Sequence, residues 1–144
     1  MPLTEQHRFG MQLAQMSRGW RAELDRRLAG LGLSQARWLV LLHLARFNEA
    51  PTQRELAQSV GVEGPTLARL LDSLESQGLV QRQSVLEDRR AKKIVLCTPA
   101  RPLIEQIETI ANQLRHELFE GVDEADLVVC MRVHGHILAN LEKS

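Results

Sequence analysis

Phe9, Leu13, Met16, Trp20, Leu24 and Leu28 follow one another at intervals of four and three, the period of one face of an amphipathic helix. Thr4 is the predicted N-cap, and Gly30 and Gly32 are the predicted end. Ser34 is expected to cap a second helix, whose nearly continuous apolar body from Trp38 to Ala45 predicts burial on most sides. In Pro51-Thr52-Gln53-Arg54-Glu55 the threonine and glutamate have capping-box spacing. They predict a short third helix carrying Leu56, Ala57 and Val60 and ending at Gly61. Gly64-Pro65 opens a fourth, with Leu67, Leu70, Leu71 and Leu74 inward and Thr66, Arg69 and Ser73 on the other side; Gly78 stops it. Leu79-Val80 then begins a strand and Ile94-Val95-Leu96 forms a second, with the polar Glu87-Asp88-Arg89-Arg90 as the charged tip of a hairpin. Thr98 and Pro99 read as N-cap and first residue of a long helix with Leu103, Ile107, Ile110, Leu114 and Leu118 at heptad-like spacing, and Pro102 is tolerable in its first turn. Asp123 is the expected cap of a last helix bearing Leu127, Met131, His134, Leu138 and Leu141.

The pattern predicts a mostly α chain with a small β-hairpin wing. A winged helix-turn-helix over 34–98 is flanked by helices over 4–30 and 100–142, all within one domain spanning 1–144. The stripes at the two ends would stay incompletely buried in a single chain, so the end helices are expected to make a homodimer. Two short helices joined by a Gly-containing turn are the sequence form of a helix-turn-helix. The fourth helix is apolar on one side only; its other side is small, polar and Arg-bearing, as entry into a major groove requires. Gly64, Pro65 and Thr66 at its start permit close approach, where the helix dipole favours phosphate. In Asp88-Arg89-Arg90-Ala91-Lys92-Lys93, four cations lie close together, and Asp88 stands two residues before Arg90 to hold its guanidinium for a narrow minor groove. The alternative is a dimeric winged helix that binds protein and not DNA.

Charge sharpens the first reading. The 144 residues carry 18 basic and 18 acidic side chains, a net charge of zero. Residues 1–102 nonetheless hold 15 of the basic and 10 of the acidic ones, while 103–144 have Arg115, Arg132 and Lys143 against eight acids. Fifteen of the 18 basic residues are arginines, whose planar fork suits phosphate and guanine. The apolar run from Trp38 to Leu42, which no other exceeds, is far short of the ~20 residues of a membrane span. No secretory signal is visible at the start, and two cysteines cannot form a disulfide framework, so a cytoplasmic location is expected.

Glu55-Leu56-Ala57-Gln58-Ser59-Val60-Gly61-Val62, Pro65-Thr66-Leu67-Ala68-Arg69, Leu74-Glu75-Ser76-Gln77-Gly78-Leu79-Val80-Gln81-Arg82 and Asp88-Arg89-Arg90 together resemble the MarR family of winged-helix transcriptional regulators. The run from Asp88 to Leu96 and the placement of Trp20 and Trp38 are most similar to its SlyA branch. The resemblance implies a homodimer with intertwined terminal helices on a pseudo-palindromic double-stranded DNA operator. It puts Pro65, Thr66 and Arg69 toward the major groove, and Asp88 and Arg90 in the wing with Arg90 in the minor groove. Thr52, Gly64, Ser73, Arg82, Arg89 and Lys92 complete the candidate DNA surface. The chain departs from the family pattern at Gly64, where a polar residue is usual, and at Cys97, Pro99 and Pro102. The resemblance also implies a small aromatic carboxylate effector, for which Arg18 and Arg21 would supply a cation and Trp20 and Trp38 an aromatic wall; core packing suits both tryptophans equally well.

Other chemistry is weakly supported. Cys130 and His134 share a helix face at i, i+4, but His136 points elsewhere and no third ligand is local, so a half-buried pair is expected and no metal or other cofactor. Asp123, Glu124 and Asp126 stand at a helix start, where they serve the cap and the dipole. There is no P-loop, G-x-S-x-G, H-E-x-x-H or Rossmann fingerprint, and no enzymatic activity is expected.

Overall fold

The computed structural model describes residues 1–85 and 88–143, with 88–90 described by their backbone alone. Its elements are α1 (Glu5–Leu28), a 3-10 turn at Ala29–Leu31, α2 (Gln35–Ala45), α3 (Gln53–Val60), α4 (Gly64–Ser76), β1 (Val80–Val85), β2 (Asp88–Leu96), α5 (Ala100–Leu118) and α6 (Glu124–Glu142). The chain divides into two compact units, Met1–Asn112 and Gln113–Ser144, the boundary falling inside α5.

Local chemistry sets the helix ends. Thr4 accepts from the His7 N–H at 3.2 Å and its own N–H donates to His7 Nδ1 at 3.3 Å, closing a capping box at the start of α1. Gly32 ends the turn after α1 at φ +73°, a conformation that only glycine adopts cheaply. Ser34 occupies the N-cap position of α2, as expected, but its side chain makes no cap hydrogen bond. Asp123 accepts from the Ala125 N–H at 3.4 Å and caps α6. α5 begins at Ala100, one residue later than expected. Thr98 and Pro99 form a turn in which Ala100 and Arg101 donate to the carbonyls of Cys97 and Thr98.

In the first unit the core is built on α2. Trp38, Val40, Leu41, Leu42 and Leu44 are buried, in line with the expected burial on most sides. Leu56, Ala57 and Val60 of α3, Leu67, Leu71 and Leu74 of α4, Leu24 and Leu28 of α1, and Leu33, Leu79, Val80 and Ile94 are buried with it, and Leu70 is half-buried rather than buried. Truncating such leucines to alanine typically costs about 2–5 kcal/mol. The Trp38 indole N–H donates to Asp25 Oδ1 at 3.3 Å, so the buried ring has its one polar group satisfied. The buried stripe of α5 differs from the expected one: Ala100, Ile104, Ile107, Ala111 and Leu114 are buried, Leu103 and Ile110 are half-buried and Leu118 is exposed.

α1 is exposed from Glu5 to Ala22, including Phe9, Leu13 and Met16. In the second unit, α6 buries no residue, so Cys130 and His134 are exposed rather than half-buried. Among the described residues, no single helix is long and apolar enough to cross a membrane.

Toward the end of α1, Glu23 accepts from Arg26 Nη2 at 2.5 Å and Arg27 Nε at 3.0 Å. The Arg26 and then the Arg27 hydrogen bonds pull its carboxyl down from 4.5 to about 2. Because the folded pKa lies below the unfolded one, this stabilisation is complete above pH 4.5 and is lost on acidification toward pH 2. Glu23→Gln is therefore expected to lower the thermal midpoint modestly at neutral pH, with the gap to wild type closing as pH falls through that window.

Candidate nucleic-acid interface

α3 and α4 form the helix-turn-helix, and the turn is fixed by Gly61. Its φ of +83° lets its N–H and that of Val62 both reach the Ala57 carbonyl, at 2.9 and 3.1 Å. The start of α3 is a complete capping box: Thr52 Oγ1 accepts from the Glu55 N–H at 3.1 Å, and Glu55 Oε1 accepts from the Thr52 N–H at 3.0 Å. These bonds hold the Glu55 carboxyl below the usual glutamate range, the one from the Thr52 backbone contributing most. Thr52 is thus a structural cap first. Thr52→Ala is expected to cost about 1 kcal/mol of stability, measured by urea unfolding.

α3 is tied to its surroundings on two sides. His43 Nδ1 on α2 lies 2.8 Å from Ser59 Oγ, and burial, followed by the charges of Arg46 and Arg21, keeps the imidazole pKa below the usual histidine range. On the other side the Ile94 N–H donates to the Pro51 carbonyl at 2.9 Å, and Thr52 bridges to Lys93. The residues before α3 therefore add a short third rung to the wing.

α4 presents the expected division of faces. Leu67, Leu71 and Leu74 are fully buried, while Gly64, Pro65 and Arg69 are exposed and Thr66 and Ser73 are half-buried. A Cβ on Gly64 would meet nothing within 4 Å, so no neighbour in the chain requires glycine there. Glu63 is the N-cap residue but makes no side-chain cap bond.

β1 and β2 pair antiparallel from Val80↔Leu96 to Val85↔Asp88, with an irregularity after Ser84. The hairpin is longer than its apolar residues suggested. The backbone of Asp88, Arg89 and Arg90 lies in β2 and not in a turn. The side chains of these three, and residues 86 and 87 altogether, lie outside the described residues. Lys92 is exposed, and its ammonium donates to Ser84 Oγ at 2.9 Å across the ladder. Arg82 turns inward: it pairs with Asp72 and Glu75 of α4.

Between α3 and the wing lies an open groove of about 790 Å³, lined by Thr52, Gln53, Arg54, Ala57, Gln58, Val62, Gly64, Ala91 and Lys92. Its charged side chains are cationic, and it joins three expected site residues, Thr52, Gly64 and Lys92, into one surface. Gln53, Arg54 and Gln58 were not among the expected residues. The i, i+4 spacing of Arg54 and Gln58 on the side of α3 away from Leu56 and Val60 was the available signal.

The four expected effector residues do not share an exposure. Trp38 is 1% exposed and packed in the core, whereas Arg18, Trp20 and Arg21 are exposed on α1. Core packing is thus the role the structure gives Trp38. Cys97 is half-buried and Cys130 exposed, both as free thiols. Among the described residues, no three His, Cys, Asp or Glu side chains come close enough to hold a metal.

Comparison with known proteins places this architecture. A family model described as the MarR family matches residues 31–91. The crystal structure of the transcriptional regulator PA3341 is 67% identical, covering 94% of this chain and 99% of that one, with a TM-score of 0.89. CouR from Rhodococcus jostii RHA1, solved bound to p-coumaroyl-CoA, is 26% identical over 91% of both chains, with a TM-score of 0.78. The S. aureus MepR–DNA complex shares the fold, with a TM-score of 0.79 at 24% identity over 96% of this chain and 99% of that one. The chain belongs to the MarR family, a family of winged-helix transcriptional regulators and not of enzymes.

Proposed function

We propose that this chain acts as a homodimeric, sequence-specific DNA-binding regulator on a pseudo-palindromic operator in the cytoplasm. Residues 34–98 read DNA and the segments 4–30 and 100–142 hold the dimer, so that 1–144 works as one functional domain. The observation that carries the reading is the division of α4: Leu67, Leu71 and Leu74 are fully buried, while its exposed side carries Arg69 and its first residue, Gly64, lines a cationic groove. Arg69, Pro65 and Thr66 read the major groove. Arg54, Gln58 and Lys92 take phosphates along the groove between α3 and the wing, an arrangement that positions without specifying. Asp88, Arg89 and Arg90 belong to the wing by their backbone, and Arg90 is assigned to the minor groove on its sequence position.

The dimer accounts for apolar surface that a single chain leaves in water. Phe9, Leu13 and Met16 on α1 are exposed, and so are Val128, Met131, Leu138 and Leu141 on α6. Contiguous apolar faces of this kind mark interfaces. Placement in the SlyA branch is supported by the run from Asp88 to Leu96. For the effector, a small aromatic carboxylate, the exposed Arg18, Trp20 and Arg21 remain the candidate contacts. The CouR complex with p-coumaroyl-CoA supports a ligand-responsive reading.

An electrophoretic shift with genomic fragments tests the proposal. A retarded band that its own unlabelled fragment competes away, and random DNA does not, is expected. Absence of any retarded band at micromolar protein would favour the protein-interaction alternative.

A further inference from the structure

Arg82 has the composition of a DNA contact and the geometry of something else. It leaves β1 toward α4, where its Nη2 pairs with the Asp72 carboxylate and lies 3.6 Å from Glu75 Oε1. Its backbone N–H donates to Glu75 Oε2 at 3.1 Å. The Arg82 side chain is 20% exposed, against 67% for Asp72 and 42% for Glu75, so the guanidinium is the covered member of the cluster. Asp72 and Glu75 are i, i+3 on α4 and therefore stand on one side of it. Asp72 also follows Arg69 by three residues and directly precedes Ser73, at the flank of the DNA-reading face.

Two consequences follow from that placement. Left alone, the two carboxylates would sit beside approaching phosphates and repel them; a guanidinium between them cancels half of that charge. The same three contacts also fix β1 against α4. In the ladder Arg82 is opposite Ile94, a fully buried residue whose N–H holds the Pro51 carbonyl at 2.9 Å. The wing is thus tied to α4 through Arg82 and to the start of α3 through Ile94. A planar fork presents its donors to two carboxylates in a fixed geometry, which the flexible point charge of a lysine reproduces only in part.

We propose that Arg82 is a positioning residue for DNA reading: it sets the wing against α4 and screens Asp72 and Glu75, and does not itself touch DNA. This role rests on the DNA-binding reading above. A displaced wing loses its reach at the outer positions of each half-site while α4 keeps its own contacts and the Ile94–Pro51 bond keeps Lys92 beside α3. The loss therefore falls on discrimination and not on the number of phosphate contacts.

The test uses the full chain, a duplex selected by the wild type from a random pool and a scrambled duplex of equal composition, titrated by fluorescence anisotropy over a range of KCl. Arg82→Gln is expected to lower the preference for the selected duplex about tenfold, leaving the salt slope at the wild-type value because no phosphate contact is removed. Arg82→Lys recovers only part of the preference. The double variant Asp72→Asn/Glu75→Gln lowers the preference in the same way, although removal of two negative charges alone would tighten binding. Adding Arg82→Gln to it makes nothing worse, since all three substitutions break one device. Asp72 and Glu75 are exposed, so this double variant decides the matter even if Arg82→Gln fails to fold. The role is overturned if Arg82→Gln weakens both duplexes equally and reduces the salt slope by about one per subunit. It is equally overturned if Asp72→Asn/Glu75→Gln binds the selected duplex more tightly, because a released Arg82 would then be the contact. A wild type that binds no duplex removes the DNA reading and this role together, an outcome distinct from either of the others.

Discussion

Arg69→Ala is expected to weaken operator binding by about 1–3 kcal/mol per half-site, roughly 5- to 150-fold, and to relax base preference at one position of each. The side chain is exposed, and among the described residues it makes no ion pair or hydrogen bond that its removal would break. The fold of α4 does not depend on it, because Leu67, Leu71 and Leu74 are fully buried on the opposite side. Thermal stability should therefore hardly change, and the loss can be read as lost recognition. Binding to matched sets of operator variants separates the two ways an arginine can act. A bidentate guanine contact costs affinity only where the guanine is present, whereas a phosphate contact costs the same on every sequence.

The second large effect concerns the proposed dimer. Leu138→Asp is expected to convert a dimer of about twice 16.3 kDa into a monomer at micromolar concentration, read by sedimentation equilibrium. Leu138 is 60% exposed and α6 buries no residue, so the substitution leaves the chain's own core intact. In a two-fold interface each change counts twice. Burying a leucine is worth about 2 kcal/mol, so the symmetric loss of two reaches roughly 4 kcal/mol, about a thousandfold, before the cost of two buried carboxylates. Operator affinity should fall with the dimer, since two half-sites then no longer share one molecule. A wild type that sediments as a stable monomer would contradict the dimer directly.

Features with a local cause were legible in the sequence. The Thr52–Glu55 box, the glycine at 61 and the proline at 65 act within one or two turns of themselves, and α3 and α4 lie where those residues put them. The leucines of α4 follow a single period and have a single face to bury, so the reading face opposite them could be inferred. α5 shows where that logic stops. Its apolar residues occupy more than one face, and periodicity does not say which face meets the chain's own core; the structure buries Ile104 and Ala111 and leaves Leu118 in water. The wing was underestimated because a two-stranded ribbon has little to bury. Strand β2 begins with charged residues that carry no apolar alternation.

Contacts between residues distant in the chain were not legible in the sequence. Arg82 and Asp72 are ten residues apart and meet only because β1 folds back past α4 after Gly78, at φ +76°. Trp38 and Asp25 are thirteen apart, and they meet only because the turn at Ala29–Leu31 lies between the end of α1 and α2. Arg54 and Gln58 share a side of α3 by their spacing, but the groove they line exists only because the Pro51 carbonyl holds the wing beside α3.

Selection of bound sites from a random DNA pool by the full chain tests the central claim most directly. The account predicts enrichment of one motif in two inverted copies, centred about 10 base pairs or a multiple apart as two equivalent recognition helices require. Enrichment of a single unrepeated motif would contradict the dimeric reading, and recovery of the pool unchanged would contradict sequence-specific DNA binding itself.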